Sequence, residues 1–342
     1  MHKKTQLLNA LFLALVFAVT CYTLFRDEEL GDILFWFRQA RGGVLCLALA
    51  LVPAFIFGEA ATIWYLLRTL RQGVPFRSCA KYSCIGFFFS CITPSASGGQ
   101  PAQLVEMRRD GVSLPVGSMV LLIITIAYKL VLVTIGMGCL LFAEDWIETS
   151  MGSALPLFYL GLSLNILFIT ALFFLVFSNR LSSAVILRGA AVLERLHILR
   201  PNPAREERLR GAVANYQRAA AFFRGNRKVL AVVFLITFAQ RVTLFFTTWV
   251  VYRSFGLSGV GLPAVLVLQA SISLSVDMLP LPGGIGASEH LFLAVFDHVF
   301  GPALVLPAML LSRGFSFYLL LLISALVTLV SHMGAPRRGA VR

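Results

Sequence analysis

Charge is what this sequence has little of. Asp, Glu, Lys and Arg make up 13% of its 342 residues, against roughly a quarter in a soluble globular chain. Hydrophobic residues supply 58%, and the mean hydropathy is +0.84. A chain of this length folding in water cannot hide so much apolar side chain. That excludes a cytosolic enzyme, a secreted disulfide scaffold and a disordered chain, and leaves an integral membrane protein.

Metal- and nucleotide-binding patterns are also missing. The six cysteines lie inside apolar runs without a CxxC pair, as expected of small buried hydrophobes. The five histidines show no HExxH spacing, so no metal site is expected. No Gly-Lys-Ser/Thr loop and no full GxGxxG after a strand occurs, which argues against a nucleotide and leaves no cofactor expected. Acidic residues are scarce, 16 against 29 basic, for a net charge of +13. With no nucleic-acid-binding motif present, that excess reads as topology and contact with anionic lipid.

A helix needs about 20 apolar residues to cross about 30 Å of hydrocarbon. Segments 7–25, 43–67, 114–142, 155–177, 229–252 and 303–330 meet this requirement. The first has no small-residue cleavage site after it and reads as a retained helix. Two apolar stretches, 79–93 and 291–300, are too short and lie next to Pro/Gly-rich breaks. Segment 180–228 holds eleven basic and three acidic residues, whereas 143–155 holds Glu144, Asp145 and Glu148 and no basic residue. The positive-inside rule places the first in the cytoplasm and the second outside, with both termini cytoplasmic. Arginines on both sides of 79–93 favour the cytoplasm, which predicts a re-entrant hairpin there. Region 262–302 then forms a matching hairpin from outside, or two short spans. Segments 182–200 and 204–224 predict two basic amphipathic helices able to lie on anionic lipid.

The two breaks share a pattern. The first reads Thr93-Pro94-Ser95-Ala96-Ser97-Gly98-Gly99-Gln100-Pro101; the second reads Leu279-Pro280-Leu281-Pro282-Gly283-Gly284-Ile285-Gly286-Ala287-Ser288-Glu289. Lys129 follows Gly99 by 30 residues, and Arg313 follows Gly284 by 29. With opposite entry sides, this is the mark of an inverted repeat, whose broken helices in transporters frame the substrate site.

Glu59, Lys129, Arg241, Asp277, Glu289 and Arg313 fall at membrane depth. A lone charge there costs about 2.5–3.5 kcal/mol on insertion scales, so three of each sign imply pairing or a wet cavity. Glycine turns opening helices leave N–H groups that attract anions. Ser95, Ser97, Gln100 and Gln103 add neutral hydrogen-bond partners, and a cation adds a charge-assisted contact to phosphate. The expectation is a lipid phosphate held between the two tips and Lys129 or Arg313.

The run TPSASGGQPAQLVEMRRDGVSLPVGSMVLLIITIAYKLVLV with the later LPLPGGIGASE resembles the lysylphosphatidylglycerol synthase transmembrane-region family, the membrane half of the bacterial multiple peptide resistance factor. The resemblance covers nearly the whole chain. It implies a flippase domain with two re-entrant elements, which in full-length relatives moves aminoacylated phosphatidylglycerol to the outer leaflet. It carries functional weight onto Pro94, Ser95, Gly98, Gly99 and Gln100, and onto Pro282, Gly283, Gly284, Gly286, Glu289 and Arg313. Many members have an acidic residue after the first Gly pair, then Val-Arg, and a Glu-Arg on the next helix. Here Gln100, Ala102 and Gln103, and Tyr128-Lys129, stand in those places, which implies a different head group.

The expected protein is therefore an all-α polytopic membrane protein with about six full spans plus two re-entrant hairpins, in one domain spanning 1–342. It is expected in the bacterial cytoplasmic membrane, translocating a phospholipid such as aminoacylated phosphatidylglycerol or a polyprenyl-phosphate-linked lipid. Its partners are then an anionic phospholipid or lipid-linked phosphate and, in one reading, a separate synthase docked on the basic loop. The competing readings are a phosphatidylglycerol lysyltransferase, or another lipid-modifying subunit, and a membrane partner of a synthase. The acyltransferase-like domain of the full-length synthases is not expected in this chain, so the expectation is a non-enzyme. Site candidates are Pro94, Ser95, Ser97, Gly98, Gly99, Gln100, Gln103, Lys129, Arg241, Pro282, Gly283, Gly284, Gly286, Glu289 and Arg313.

Overall fold

The computed structural model describes Phe35 and residues 38–142, 144–178 and 203–333. The expected first span at 7–25, the amphipathic segment 182–200 and both termini lie outside these. Every element among the described residues is helical. In chain order they are α1 (Gly42–Thr69), α2 (Phe76–Ile92), a 3-10 turn (Pro94–Ala96), α3 (Gly99–Arg109), α4 (Leu114–Phe142), α5 (Glu144–Met151) and α6 (Leu155–Phe177). The second half has α7 (Pro203–Gly225), α8 (Arg227–Ser254), α9 (Leu262–Val276), a 3-10 turn (Pro282–Gly284), α10 (Ala287–Phe300) and α11 (Val305–Arg313). A π-helical turn (Gly314–Leu319) then leads into α12 (Leu320–Met333).

Five stretches among the described residues are long and apolar enough to cross a membrane: Gly42–Thr69, Leu114–Phe142, Glu144–Val176, Arg227–Ser254 and Val305–Ser331. They match five of the six expected spans. Their outer faces are apolar as well: Leu141, Phe142, Leu167, Phe174, Leu235 and Val330 are all more than half exposed. Such a surface is stable only against lipid. The protein is a multi-pass membrane protein.

Helices pack where side chains are small or recur at helical spacing. In α1 the buried residues Val52, Phe55, Ile56, Ala60, Ile63, Leu66 and Leu67 form one stripe. Gly58 lets α8 come close, since a Cβ there would lie 2.8 Å from Gln240 Cγ. One large core gathers α1, α2, α3, α4 and the inner face of α7; another gathers α4, α6, α8, α9, α10 and α11. The central helices α4 and α8 contribute to both. The basic segment 204–224 is a helix as expected, but Tyr216, Ala219, Ala220 and Phe223 are buried in the bundle. Only part of it is left to meet lipid.

The short stretch at 79–93 becomes α2, a 17-residue helix of about 26 Å at 1.5 Å per residue. It folds back on α3 as a helical hairpin. Gly86 and Gly99 permit the closeness: a Cβ on Gly99 would lie 2.0 Å from Ser90 Oγ. The second hairpin pairs α9 with α10 through Pro282–Gly284.

The backbone corrects the register of the repeat. Each break is a proline followed by two residues in the left-handed region: Ser95 (φ 50°) and Ala96 (φ 53°) in the first, Gly283 (φ 58°) and Gly284 (φ 67°) in the second. Pro94 therefore matches Pro282, and Gly98, the N-cap of α3, matches Gly286, the N-cap of α10. The Gly98-Gly99 and Gly283-Gly284 pairs do not correspond. Both cations lie within long apolar spans, Lys129 in Leu114–Phe142 and Arg313 in Val305–Ser331, at 35 and 31 residues from the matched prolines. Counted from the prolines, the spacing to the cations differs by four residues, about one helical turn.

Candidate functional site

The two breaks meet. The 3-10 turns of both hairpins are in contact, and the Ser95 hydroxyl donates to the Leu279 carbonyl at 3.4 Å. Cys91, Ile285 and Phe317 form a small buried cluster beside this junction. Non-helical backbone inside a membrane protein is tolerated where protein covers it or water reaches it. Here each tip covers part of the other.

Each tip is also capped from within. The Gly98 N–H donates to Thr93 Oγ1 at 2.9 Å. The Gly286 N–H donates to Glu289 Oε2 at 2.7 Å. The N–H groups read from sequence as anion donors are thus in part already engaged. Glu289 is 1% exposed, and its other oxygen accepts from Arg313 Nε at 2.8 Å. Arg313 Nη2 donates to the Gly283 carbonyl at 3.1 Å, and its guanidinium lies 4.6 Å from the Phe317 ring centre. Arg313 and Glu289 together lock the second tip. Gly283 closes it, because a Cβ there would lie 2.1 Å from Phe317.

The first tip is tied down by its glutamines. Gln103, 4% exposed, donates to Glu59 Oε1 at 2.7 Å and so joins α3 to α1. Gln100 reaches Thr125 Oγ1 on α4. Ser97 is exposed and Pro94 partly so, while Pro282 is buried. Lys129, 6% exposed, pairs with Asp277, which also accepts from the Tyr128 hydroxyl. This cluster connects α4 to the residue following α9.

Arg241, half-buried, is held differently from Lys129 and Arg313. Its guanidinium lies 4.1 Å from the Tyr128 ring centre and 5.0 Å from that of Phe55. Among the described residues no carboxylate comes within 4.0 Å of it, and its Nε has no hydrogen-bond partner; the buried Glu59 carboxylate acts on it only from beyond contact distance. Two aromatic faces hold the charge between α1, α4 and α8 by cation–π attraction. A planar guanidinium so placed is suited to a phosphate oxygen.

The structure therefore sorts the candidate residues into groups. It brings Ser95 against the second tip, and it uses Gly98, Gly99, Gly283, Gly284 and Gly286 for turns and close packing. It binds Lys129 and Arg313 to carboxylates and leaves Arg241 without one. Sequence reasoning gave no site role to Asp277, Tyr128 or Phe55. It also missed a hydroxyl-lined cavity beside Arg313. The signal for the latter was single polar residues such as Thr248 and Ser312 on otherwise apolar helices.

A family model described as the lysylphosphatidylglycerol synthase TM region matches residues 6–324. The chain belongs to that family. No curated protein matches it. Lysylphosphatidylglycerol synthase TM region proteins thus provide the frame for the paired breaks, since both lie inside the matched residues, as do all six membrane-depth charges. Membership ties the chain to membrane-lipid function.

Proposed function

We propose that this chain is a lipid translocase of the bacterial cytoplasmic membrane, moving a phospholipid or a polyprenyl-phosphate-linked lipid between leaflets. Both hairpins are re-entrant in this reading, the first from the cytoplasm, and both termini are cytoplasmic. The observation that carries the proposal is Arg241: a cation at membrane depth, held by two rings with no carboxylate in contact and Glu59 only at longer range, near the helices that support the two touching tips. A charge without a contact ion pair in an apolar bundle is costly, and such intramembrane charges mark substrate paths. The phosphate of a head group supplies the missing contact ion pair as it passes. Lys129–Asp277 and Arg313–Glu289 hold the flanking structure through their ion pairs. Membership of a lipid-synthase membrane-region family supports a lipid as the cargo.

The test is reconstitution of the purified chain in liposomes containing tail-labelled lipids with different head groups. The proposal expects the inner-leaflet pool of at least one phosphate-bearing lipid to become accessible to an external quencher. Absence of movement for every phosphate-bearing lipid, with the protein folded and inserted, overturns it.

A further inference from the structure

A cavity of about 80 Å³ lies under the second tip, bounded by α8, α9, α10, α11 and the π-helical turn. Its polar wall is formed by Thr248, Gln269, Ser273, Ser288, Ser312 and Ser316. No Asp, Glu or Lys lines it, and its one charged group, Arg313, is already paired with Glu289. Thr248 Oγ1 donates to Gln269 Oε1 at 3.0 Å and lies 2.7 Å from Ser312 Oγ. The hydroxyls of Ser288 and Ser316 and the Gln269 amide NH₂ have no hydrogen-bond partner among the described residues. These groups open onto the cavity and are not sealed in protein, so an occupant that donates and accepts can satisfy them.

The occupant's chemistry follows from charge and size. An ammonium finds nothing acidic among the residues of this wall, so its charge enters without a counter-ion. A second anion gains little from a guanidinium already neutralised. A neutral polyol satisfies hydroxyls and an amide without leaving charge unpaired. At roughly 10–15 Å³ per water, about 80 Å³ admits on the order of half a dozen water-sized groups, the heavy-atom count of a glycerol unit. Arg241 and Thr248 lie seven residues apart on α8, about 10 Å along the axis. Leu244 and Phe245, between them on the helix, also line the cavity.

We propose that this cavity is a subsite for the neutral, polyhydroxylated part of a lipid head group, glycerol- or sugar-like, whose phosphate lies at Arg241, and that it rejects amine-bearing head groups. This rests on the translocase reading for the identity of the ligand as a lipid. It gives Thr248, Gln269 and Ser316 the role of specificity determinants.

The experiment measures binding and transport separately. The detergent-solubilised full chain is titrated with short-chain phosphatidylglycerol, phosphatidylethanolamine and lysyl-phosphatidylglycerol, and with free glycerol phosphate, following thermal stabilisation. The polyol lipid should bind about tenfold more tightly than either amine lipid, a difference of about 1.4 kcal/mol. Thr248→Val and Gln269→Leu should each erase most of that preference. Ser316→Ala removes a hydroxyl with no partner to lose, so it tests the same preference with little risk to folding, and it should narrow the gap. Equal or tighter binding of an amine lipid, or an intact preference in all three variants, overturns the proposal. Free glycerol phosphate binding as tightly as the lipid overturns the lipid part of it. A chain that shows the preference in binding but moves no lipid in liposomes overturns the translocase reading and leaves the polyol subsite standing.

Discussion

Lys129 and Asp277 form a buried ion pair between the middle of α4 and the residue that closes α9, with the Tyr128 hydroxyl on the same carboxylate. The two residues are 148 positions apart in sequence, and their side chains are 8% and 9% exposed. The pair connects the helix after the first hairpin to the approach to the second.

Removing one partner of a buried pair leaves a charge without compensation. Lys129→Met and Asp277→Asn should each destabilise the protein by about 3–5 kcal/mol. The double variant should recover much of this, because neither charge is left alone. Thermal unfolding of all three in detergent checks the cycle. Additive losses in the double variant would show that the two residues do not interact.

The tips respond to substitution in opposite ways. Gly283→Ala meets both a left-handed backbone (φ 58°) and the Phe317 ring, and should destabilise the chain. Adding Phe317→Leu should recover the part due to the clash. Ala96 stands at φ 53° in the matching turn of the first hairpin. For a non-glycine residue that conformation costs roughly 1–2 kcal/mol. Ala96→Gly relieves it at an entropic cost of about 0.5–1 kcal/mol, so it should be neutral to mildly stabilising. Unfolding midpoints of the variants measure both effects.

A pH dependence is built into the open end of the first hairpin, away from its tip. Lys81 Nζ bridges Glu106 Oε1 and Asp110 Oδ2, each at 3.0 Å, and the Tyr82 hydroxyl donates to Asp110 at 2.6 Å. Partial burial raises the Asp110 carboxyl, but the hydrogen bonds from Tyr82 and Lys81 outweigh it and hold the group below its ordinary 3.8. The folded value is thus lower than the unfolded one. The stability it supplies is present above the unfolded value and is lost as pH falls through the folded one. Asp110→Asn should flatten the acid limb of a stability–pH profile, and an unchanged limb would remove Asp110 from the clasp.

Much of the fold was legible because membrane spans are a matter of length and apolarity. Five expected spans coincide with long helices, and both breaks fall where proline and glycine interrupt the apolar runs. The register of the repeat was not legible. Glycine pairs stand out in the sequence, but the equivalent positions are the left-handed residues after each proline, occupied by Ser95 and Ala96 in one half. The candidate site was legible as a set of charges but not as a set of partners. Which carboxylate meets Lys129, and that none meets Arg241 among the described residues, depends on helices far apart in sequence. The hydroxyl-lined cavity was hidden for the same reason, since its wall draws single residues from several helices.

Arg241 is the residue on which the functional account turns. Proteoliposomes carrying wild type, Arg241→Gln and Arg241→Lys, matched for folded and inserted protein, should be compared for exposure of an inner-leaflet, phosphate-bearing labelled lipid to an external quencher. Movement is expected in wild type, and at least a tenfold slower rate in Arg241→Gln, the equivalent of about 1.4 kcal/mol in the barrier. Arg241→Lys should restore little of that rate, because a lysine cannot reproduce a guanidinium held over the rings of Phe55 and Tyr128. Wild-type rates in the glutamine variant would contradict that account.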